Sequence, residues 1–377
     1  MTAYTGMVYS YTDTTAQVRC IEDAINNVSP EEVPLTKMIG INSIGDPPVT
    51  STTYEWLYEE LAPTATVLNG AIADTTTTTC AVYTGAGNSI RVGSILAIGD
   101  ELVRVSGVST DTLTISRAWA STTPATALDA AVVRMAGFAL IEGADAVASF
   151  TMDVSTGYNY TQIFQDTVQV TGTQGAMKQY GKANEFNHQL GRKFTEQAIL
   201  LELALFLSKR SARSSGVPGT FGGLKTFITN NITNLSSAAI TEKNVMDTLQ
   251  SIFDDVGSAN RANLIVCNGW AKRKITSFYA PYARMDRAER TGGVTVDVLD
   301  TEFGKIDIML NTRCPASWVW FLNTKMIKIG PMQGRAFFKQ DLAIAGDYRK
   351  SQIVGEYTVR VLNDKCHGLL YNASTTT

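Results

Sequence analysis

The sequence predicts an α+β protein of several parts, and three observations carry that reading. Strand-like runs outnumber helical ones along most of the 377 residues. One helix-forming stretch, GKANEFNHQLGRKFTEQAILLELALFLSKR at 181–210, is more than twice the mean length of a globular helix. Within a span from 38 to 177 that has no lysine, residues 65–135 shift to Thr, Ala, Ser, Val and Gly, which marks an inserted unit. A chain of this length exceeds what one core usually organises, so two or three domain-sized units are expected.

Residues 1–50 mix Thr, Tyr, Pro and Gly and contain one short helix-like stretch, AQVRCIEDAINNVSP; they read as an arm. TTYEWLYEEL then alternates Tyr54, Trp56 and Tyr58 against Glu55, Leu57 and Glu59, the period of a strand with one covered aromatic face. The inserted unit carries TATVL, CAVYT, SILAIGDELVRVSGV, DTLTISRA and AAVVRM, separated by turn residues at roughly ten-residue spacing, which predicts a small antiparallel barrel or sandwich. Residues 136–180 return to irregular extended chain, with TQIFQDTVQVTG its most strand-like part.

The long helix has Phe186, Leu190, Phe194, Ala198, Leu201 and Leu205 along one stripe. Leu200, Leu203 and Leu207 add a second flank, which predicts deeper burial of its last turns. About 27 residues at 1.5 Å each would span ~40 Å. Each wet Leu or Phe would forfeit ~2 kcal/mol, so the stripe must be covered. Beyond a Ser-Gly-Pro loop, ITEKNVMDTLQSIFDDVG predicts a helix capped by Thr241 and ended by Gly257, with Val245, Leu249, Ile252 and Phe253 facing inward. ANLIVCNGW suits a central buried strand, AKRKITSFYA a following helix, and VTVDVLD, GKIDIMLN, WVWFLN, MIKIGP, RAFFKQDLA and SQIVGEYTVRVLNDKCHGLLYN successive strands.

Composition excludes several functions. Charged residues are 18% of the chain, below the ~25% of ordinary domains, and the net charge of -3 supplies no global field for gripping nucleic acid. The basic clusters SKRSAR (208–213) and AKRK (271–274) read as solvated faces or contacts between subunits. Cys20, Cys80, Cys267, Cys314 and Cys366 are odd in number and form no CxxC, which fits a reducing compartment. No signal peptide or run of ~18 apolar residues is evident, so neither secretion by that route nor a membrane span is expected.

No motif for chemistry survives inspection. GVPGTFGGLKT (216–226) places Leu224 where a phosphate loop needs glycine before its lysine, and it leaves a helix instead of a strand. His188 and His367 are the only histidines, too few for a histidine-rich zinc site. The acid pairs Glu31-Glu32, Glu59-Glu60 and Asp254-Asp255 point apart on any regular backbone, and no GxSxG elbow exists. No catalytic residue, cofactor or metal is expected.

The order of parts, an arm, an aromatic-edged loop, a lone long helix, a helix and strand ending in Asn-Gly-Trp, and closing strands, resembles tailed-phage major capsid proteins of the Hong Kong 97 type. IFQDTVQVTGTQGAMKQYGKANEFNHQLGRKFTEQAILLELALFLSK, TFGGLKTFI and LIVCNGWAKRKITSF are similar to a branch of that group found in podovirus-like coliphages, and SILAIGDELVRVSGVSTDTLTISRAW resembles small β modules inside capsid and tail proteins.

The resemblance implies an α+β Hong Kong 97-like capsid fold with an all-β insertion. It implies an N-terminal arm (1–50), an extended loop (51–64 and 136–180) interrupted by the inserted β domain (65–135), a peripheral domain with the spine helix (181–235 and 331–377) and an axial domain (236–330). Hexamers and pentamers of the chain would tile an icosahedral head, assembled in the host cytoplasm, around double-stranded DNA that it touches only weakly. Portal, scaffold and decoration proteins are further candidate partners.

Contacts between subunits are expected at Tyr54, Trp56, Tyr58, Phe164, Phe186, Arg192, Lys209, Arg210, Arg284 and Arg287. Some shells of this type are locked by Lys–Asn isopeptide bonds; without lysine from 38 to 177, the extended loop has no donor. A tail or baseplate component is the alternative, and an enzyme with an unrecognised site a remote one.

Overall fold

The computed structural model describes residues 33–45, 47–143, 154–179, 181–279, 296–343 and 345–375. It divides into two compact units, Met1–Trp56 with Tyr158–Thr377, and Leu57–Gly157. The helix-like stretch 16–30 lies outside the described residues. The first described element is a helix the sequence does not mark, α1 (Pro34–Ile39), with proline at its start where no backbone N–H is needed. After it, Ser43 and Ile44 hydrogen-bond across to Ile329, and a Cβ at Gly330 would lie 2.5 Å from Ile44 Cβ, so only glycine admits that crossing.

Strand β1 (Thr53–Tyr58) leads into the smaller unit, which holds β2 (Ala65–Val67), β3 (Thr79–Ala81), β4 (Ser94–Ile98), β5 (Glu101–Ser109), β6 (Thr112–Ser116) and β7 (Val132–Phe138). These form one sheet in the order β2-β7-β4-β5-β6-β3, antiparallel throughout. An antiparallel bridge between Leu68 and Val82 joins its two ends and closes it into a barrel, which removes the free edges a small sheet would otherwise expose. Alternate residues Leu96, Ile98, Val103, Val105, Leu113, Ile115 and Val133 point inward and fill it.

Inside this barrel Glu101 is 2% exposed. Arg117 grips it with two bonds of 2.7 and 2.6 Å, and the N–H groups of Ala118 and Ala125 add two more. Burial alone would raise the Glu101 pKa, but these donors outweigh it and hold it at about 2.

Returning, β8 (Ser155–Tyr160) pairs with β1 in a two-stranded ribbon. Next come β9 (Gln162–Thr171), the short α2 (Gly172–Ala176) and the spine helix α3 (Glu185–Leu207). The spine has 23 residues, fewer than the sequence suggests, because Asn184 caps it by accepting from the Asn187 N–H at 3.3 Å and Ser208 is already extended. A single helical turn α4 (Leu224–Phe227) follows the loop, then β10 (Ile232–Asn234), α5 (Glu242–Val256), β11 (Leu264–Cys267), α6 (Gly269–Tyr279), β12 (Val296–Thr301), β13 (Gly304–Leu310), β14 (Val319–Leu322), β15 (Ile327–Pro331), β16 (Phe338–Asp341), β17 (Tyr348–Val361) and β18 (Gly368–Tyr371). Thr241 caps α5 and Gly257 ends it, as the sequence indicates.

A six-stranded mixed sheet, β10-β18-β14-β11-β13-β12, sits at the centre of the larger unit. Its strands LIVC and VWFL are buried on both faces. Leu264, Val266, Trp320 and Leu322 meet Leu201, Leu205 and Phe206 of the spine; Ile265, Cys267, Val319 and Phe321 meet Val245, Leu249 and Ile252 of α5 and Ile275 of α6. Continuous apolarity, without alternation, is what a two-faced strand needs. A second sheet is built on the long β17, which takes β9 along one edge and β16 then β15 along the other. Sheet membership does not follow the sequence boundary at 330/331: β15 straddles it, and β18 joins the central sheet.

Buried polar groups lock these layers. Glu202, fully buried in the spine, accepts the N–H groups of Leu35 and Thr36 at 3.2 and 3.1 Å and the Asn311 amide at 2.6 Å. Burial raises its pKa.

His367 is also fully buried, its Nδ1 accepting the Asn323 N–H at 3.1 Å, and burial pushes its pKa down to about 4. Unfolded, the ring titrates near its ordinary 6.5, so between these values the unfolded chain binds more protons. Stability present above pH 6.5 is therefore lost as pH falls toward 4. Urea unfolding is expected to show about 2 kcal/mol less stability from this group at pH 5 than at pH 7.5, and His367→Gln to remove that part of the slope. An unchanged slope in the variant contradicts the assignment.

Candidate assembly surfaces

The ribbon is rooted in the larger unit by residues that alternate along β1. Tyr54 and Trp56 point inward onto Ile44, Val49 and Phe227, the Trp56 and Phe227 ring centroids 5.7 Å apart. On β8, the fully buried Asn159 donates to Gly222 and Val359 carbonyls at 3.2 and 2.7 Å and accepts the Gly222 N–H at 2.7 Å. Arg210 stacks 3.9 Å over the Tyr158 ring and donates to the Tyr158 carbonyl at 2.9 Å. One residue past β8, Thr161 donates to Glu356 at 2.6 Å, which Arg213 and Arg335 also approach at 2.9 and 2.8 Å. Burial raises the Glu356 pKa, but the bonds from Thr161 and Arg213 outweigh it and the net shift is downward.

The loop after the spine is therefore a clamp on the ribbon. Its glycines serve packing: a Cβ at Gly223 would stand 2.5 Å from the Leu205 carbonyl oxygen.

Of the expected contact residues, Tyr54, Trp56, Phe164 and Phe186 are covered by their own chain. Phe186 lies under Arg349 and Lys339, 4.4 and 5.5 Å from its centroid, and Phe164 against Phe221. Tyr58, Arg192, Lys209 and Arg210 are at the surface. Arg284 and Arg287 lie outside the described residues.

Other apolar side chains are left uncovered. On the spine the last turns are the most buried, through Leu201, Glu202, Leu205 and Phe206, but of the second flank only Leu203 is half-covered: Leu200 and Leu207 are 47% and 54% exposed. In the smaller unit Leu57, Leu61 and Ile141 are 71%, 93% and 75% exposed, with Leu140 and Val154 also open. Sequence reasoning passes over Leu61, Leu140, Ile141 and Val154 because they fit neither helical nor strand periodicity, whereas Leu57 sits on the face of β1 opposite Tyr54 and Trp56.

A groove of about 440 Å³ runs between β9 and the start of the spine, lined by Thr167, Gln169, Thr171, Gln174, Glu185 and Lys193. Beyond its pairing with β17, β9 has no second strand partner among the described residues.

Among the described residues no group of His, Cys, Asp and Glu could hold a metal, and no helix is long and apolar enough to cross a membrane. The described cysteines are buried free thiols, and burial pushes Cys267 up to about 12 and Cys80 to about 11, so they stay protonated.

The sequence profile of the family described as SU10 major capsid protein matches residues 8–374. Among solved structures, a cyanophage A-1(L) capsid asymmetric unit is similar over 97% of this chain and 100% of its own, at 10% identity and a TM-score of 0.57. A structure from Microbacterium phage Oxtober96 is similar over 97% of this chain and 99% of its own, also at 10% identity, with a TM-score of 0.51. No curated protein sequence matches the chain.

Proposed function

The chain belongs to the SU10 major capsid protein family, a structural capsid role, and from that premise we propose that hexamers and pentamers of it tile an icosahedral head around double-stranded DNA. The observation that carries this reading is the spine flank of Leu200 and Leu207 with the bare Leu57, Leu61 and Ile141, apolar surface that one copy leaves wet and several copies cover. The unpartnered edge of β9 offers a place for a strand from a neighbouring copy. Many modest contacts of this kind sum to a stable shell. Assembly takes place in the host cytoplasm, and portal, scaffold and decoration proteins complete the head.

Charge is divided unequally between the two units. Residues 57–157 hold ten acidic and four basic residues, a net of -6, which leaves 25 acidic and 28 basic in the rest, a net of +3, together the chain's -3. The acidic barrel repels the DNA polyanion, and the weakly basic remainder suits confinement without tight binding.

Negative-stain microscopy of the protein, alone or coexpressed with a scaffold, is expected to show closed shells. Rings or tubes would favour a tail or baseplate part, and only monomers and dimers at high concentration would oppose both. Denaturing gels of intact particles are expected to show a single monomer band, since residues 38–177, which hold the barrel and all of the loop beside it up to Lys178, have no lysine to crosslink.

A further inference from the structure

The chain has two Asn–Gly pairs, at 69–70 and 268–269, and the structure treats them oppositely. Asn69 and Gly70 are exposed in the turn after β2. Gly70 has φ +112°, a conformation natural only to glycine, and a Cβ there would meet nothing within 4 Å. Among the described residues the Asn69 side chain makes no hydrogen bond. The Gly70 N–H, however, donates to Asp129 Oδ1 at 2.7 Å. An exposed side-chain amide outside any hydrogen bond, an unhindered backbone nitrogen behind it and a carboxylate on that nitrogen's proton are the parts of an intramolecular acyl transfer.

At the other pair, Asn268 is half-buried, donates through Nδ2 to the Cys314 carbonyl at 3.3 Å, and precedes Gly269 at the start of α6.

We propose that Asn69–Gly70 is a self-modifying site, in which Asp129 assists conversion of Asn69 to aspartate and isoaspartate. The Gly70 nitrogen attacks Asn69 Cγ, its proton passing to the Asp129 carboxylate. The Cγ–Nδ2 bond then breaks, and Nδ2 takes that proton and leaves as ammonia, giving a five-membered succinimide. Water opens the ring at either carbonyl, yielding aspartate or isoaspartate without oxidant, reductant or cofactor. The isoaspartate product adds one methylene to the main chain between two fixed points, Leu68 bridged to Val82 and Ile72 bridged to Ala127, so it loosens the bridge that closes the barrel. This inference rests on the turn's geometry and is independent of the capsid reading.

The test is incubation of the full-length protein at physiological temperature, with peptide mass spectrometry and isoaspartyl methyl-transfer labelling. Expected are isoaspartate at 69, none at 268, a faster rate than in a synthetic peptide of residues 65–75, and about tenfold slowing in Asp129→Asn with an unchanged barrel melting transition. An intact Asn69, a rate no faster than the peptide's, or an Asp129→Asn rate equal to wild type overturns the proposal. Should that variant unfold, the wild-type pH profile decides: carboxylate assistance gives a nearly flat rate from about pH 6 to 8, and a rate rising in proportion to hydroxide refutes it.

Discussion

Replacing Glu202 with alanine is expected to cost the folded protein about 3–5 kcal/mol, a large share of the stability of a domain. The carboxylate takes three donors from places far apart in the chain, the first-turn N–H groups of Leu35 and Thr36 and the Asn311 amide. Truncation strands all three where no water reaches them, each at about 1–3 kcal/mol, and leaves a void between the spine and the start of α1. Urea unfolding followed by tryptophan fluorescence measures the loss, and hydrogen exchange locates it, with the Leu35 and Thr36 amides losing protection first. Stability within about 1 kcal/mol of wild type would mean that α1 is held by something other than this carboxylate.

Arg117→Ala is expected to be as damaging but confined to the barrel, because it leaves the Glu101 carboxylate buried without its partner, at about 3–5 kcal/mol. A unit of this size has little more than that to lose. Thermal scans should show the barrel transition lost or strongly lowered while the other unit keeps its own. The double variant Glu101→Leu/Arg117→Met, which removes both charges, should recover most of the loss. A single variant that melts as wild type would show the pair contributes nothing. With its folded pKa held at about 2 against an ordinary 4.5, Glu101 contributes stability above pH 4.5 that is lost as pH falls through 2, so acid should mimic the variant.

What the sequence reveals and conceals follows from the range of each interaction. LIVC and VWFL are legible because burial on two faces forces unbroken apolarity, and Thr241 and Gly257 because caps are local. β8 escapes notice: STGYNY is polar, and its key side chain, Asn159, acts through partners 63 and 200 residues away. Glu202 escapes for the same reason, reading as one more acid on a helix although its partners lie 166, 167 and 109 positions off. The spine is overextended in sequence because Lys209 and Arg210, just after Leu207, suit a helix in isolation, whereas Arg210 belongs to the clamp on the ribbon. Leu200 and Leu207 look like core because periodicity counts apolar residues without knowing whether this chain or another one covers them.

The barrel begins at β2 and ends at β7, and these two strands are hydrogen-bonded neighbours, Ala65 opposite Arg134. The polypeptide thus departs for the module and comes back through a single doorway. A foreign domain whose own termini lie side by side could be spliced through that doorway, which makes this coat protein a natural chassis for presenting an antigen or an enzyme in many ordered copies.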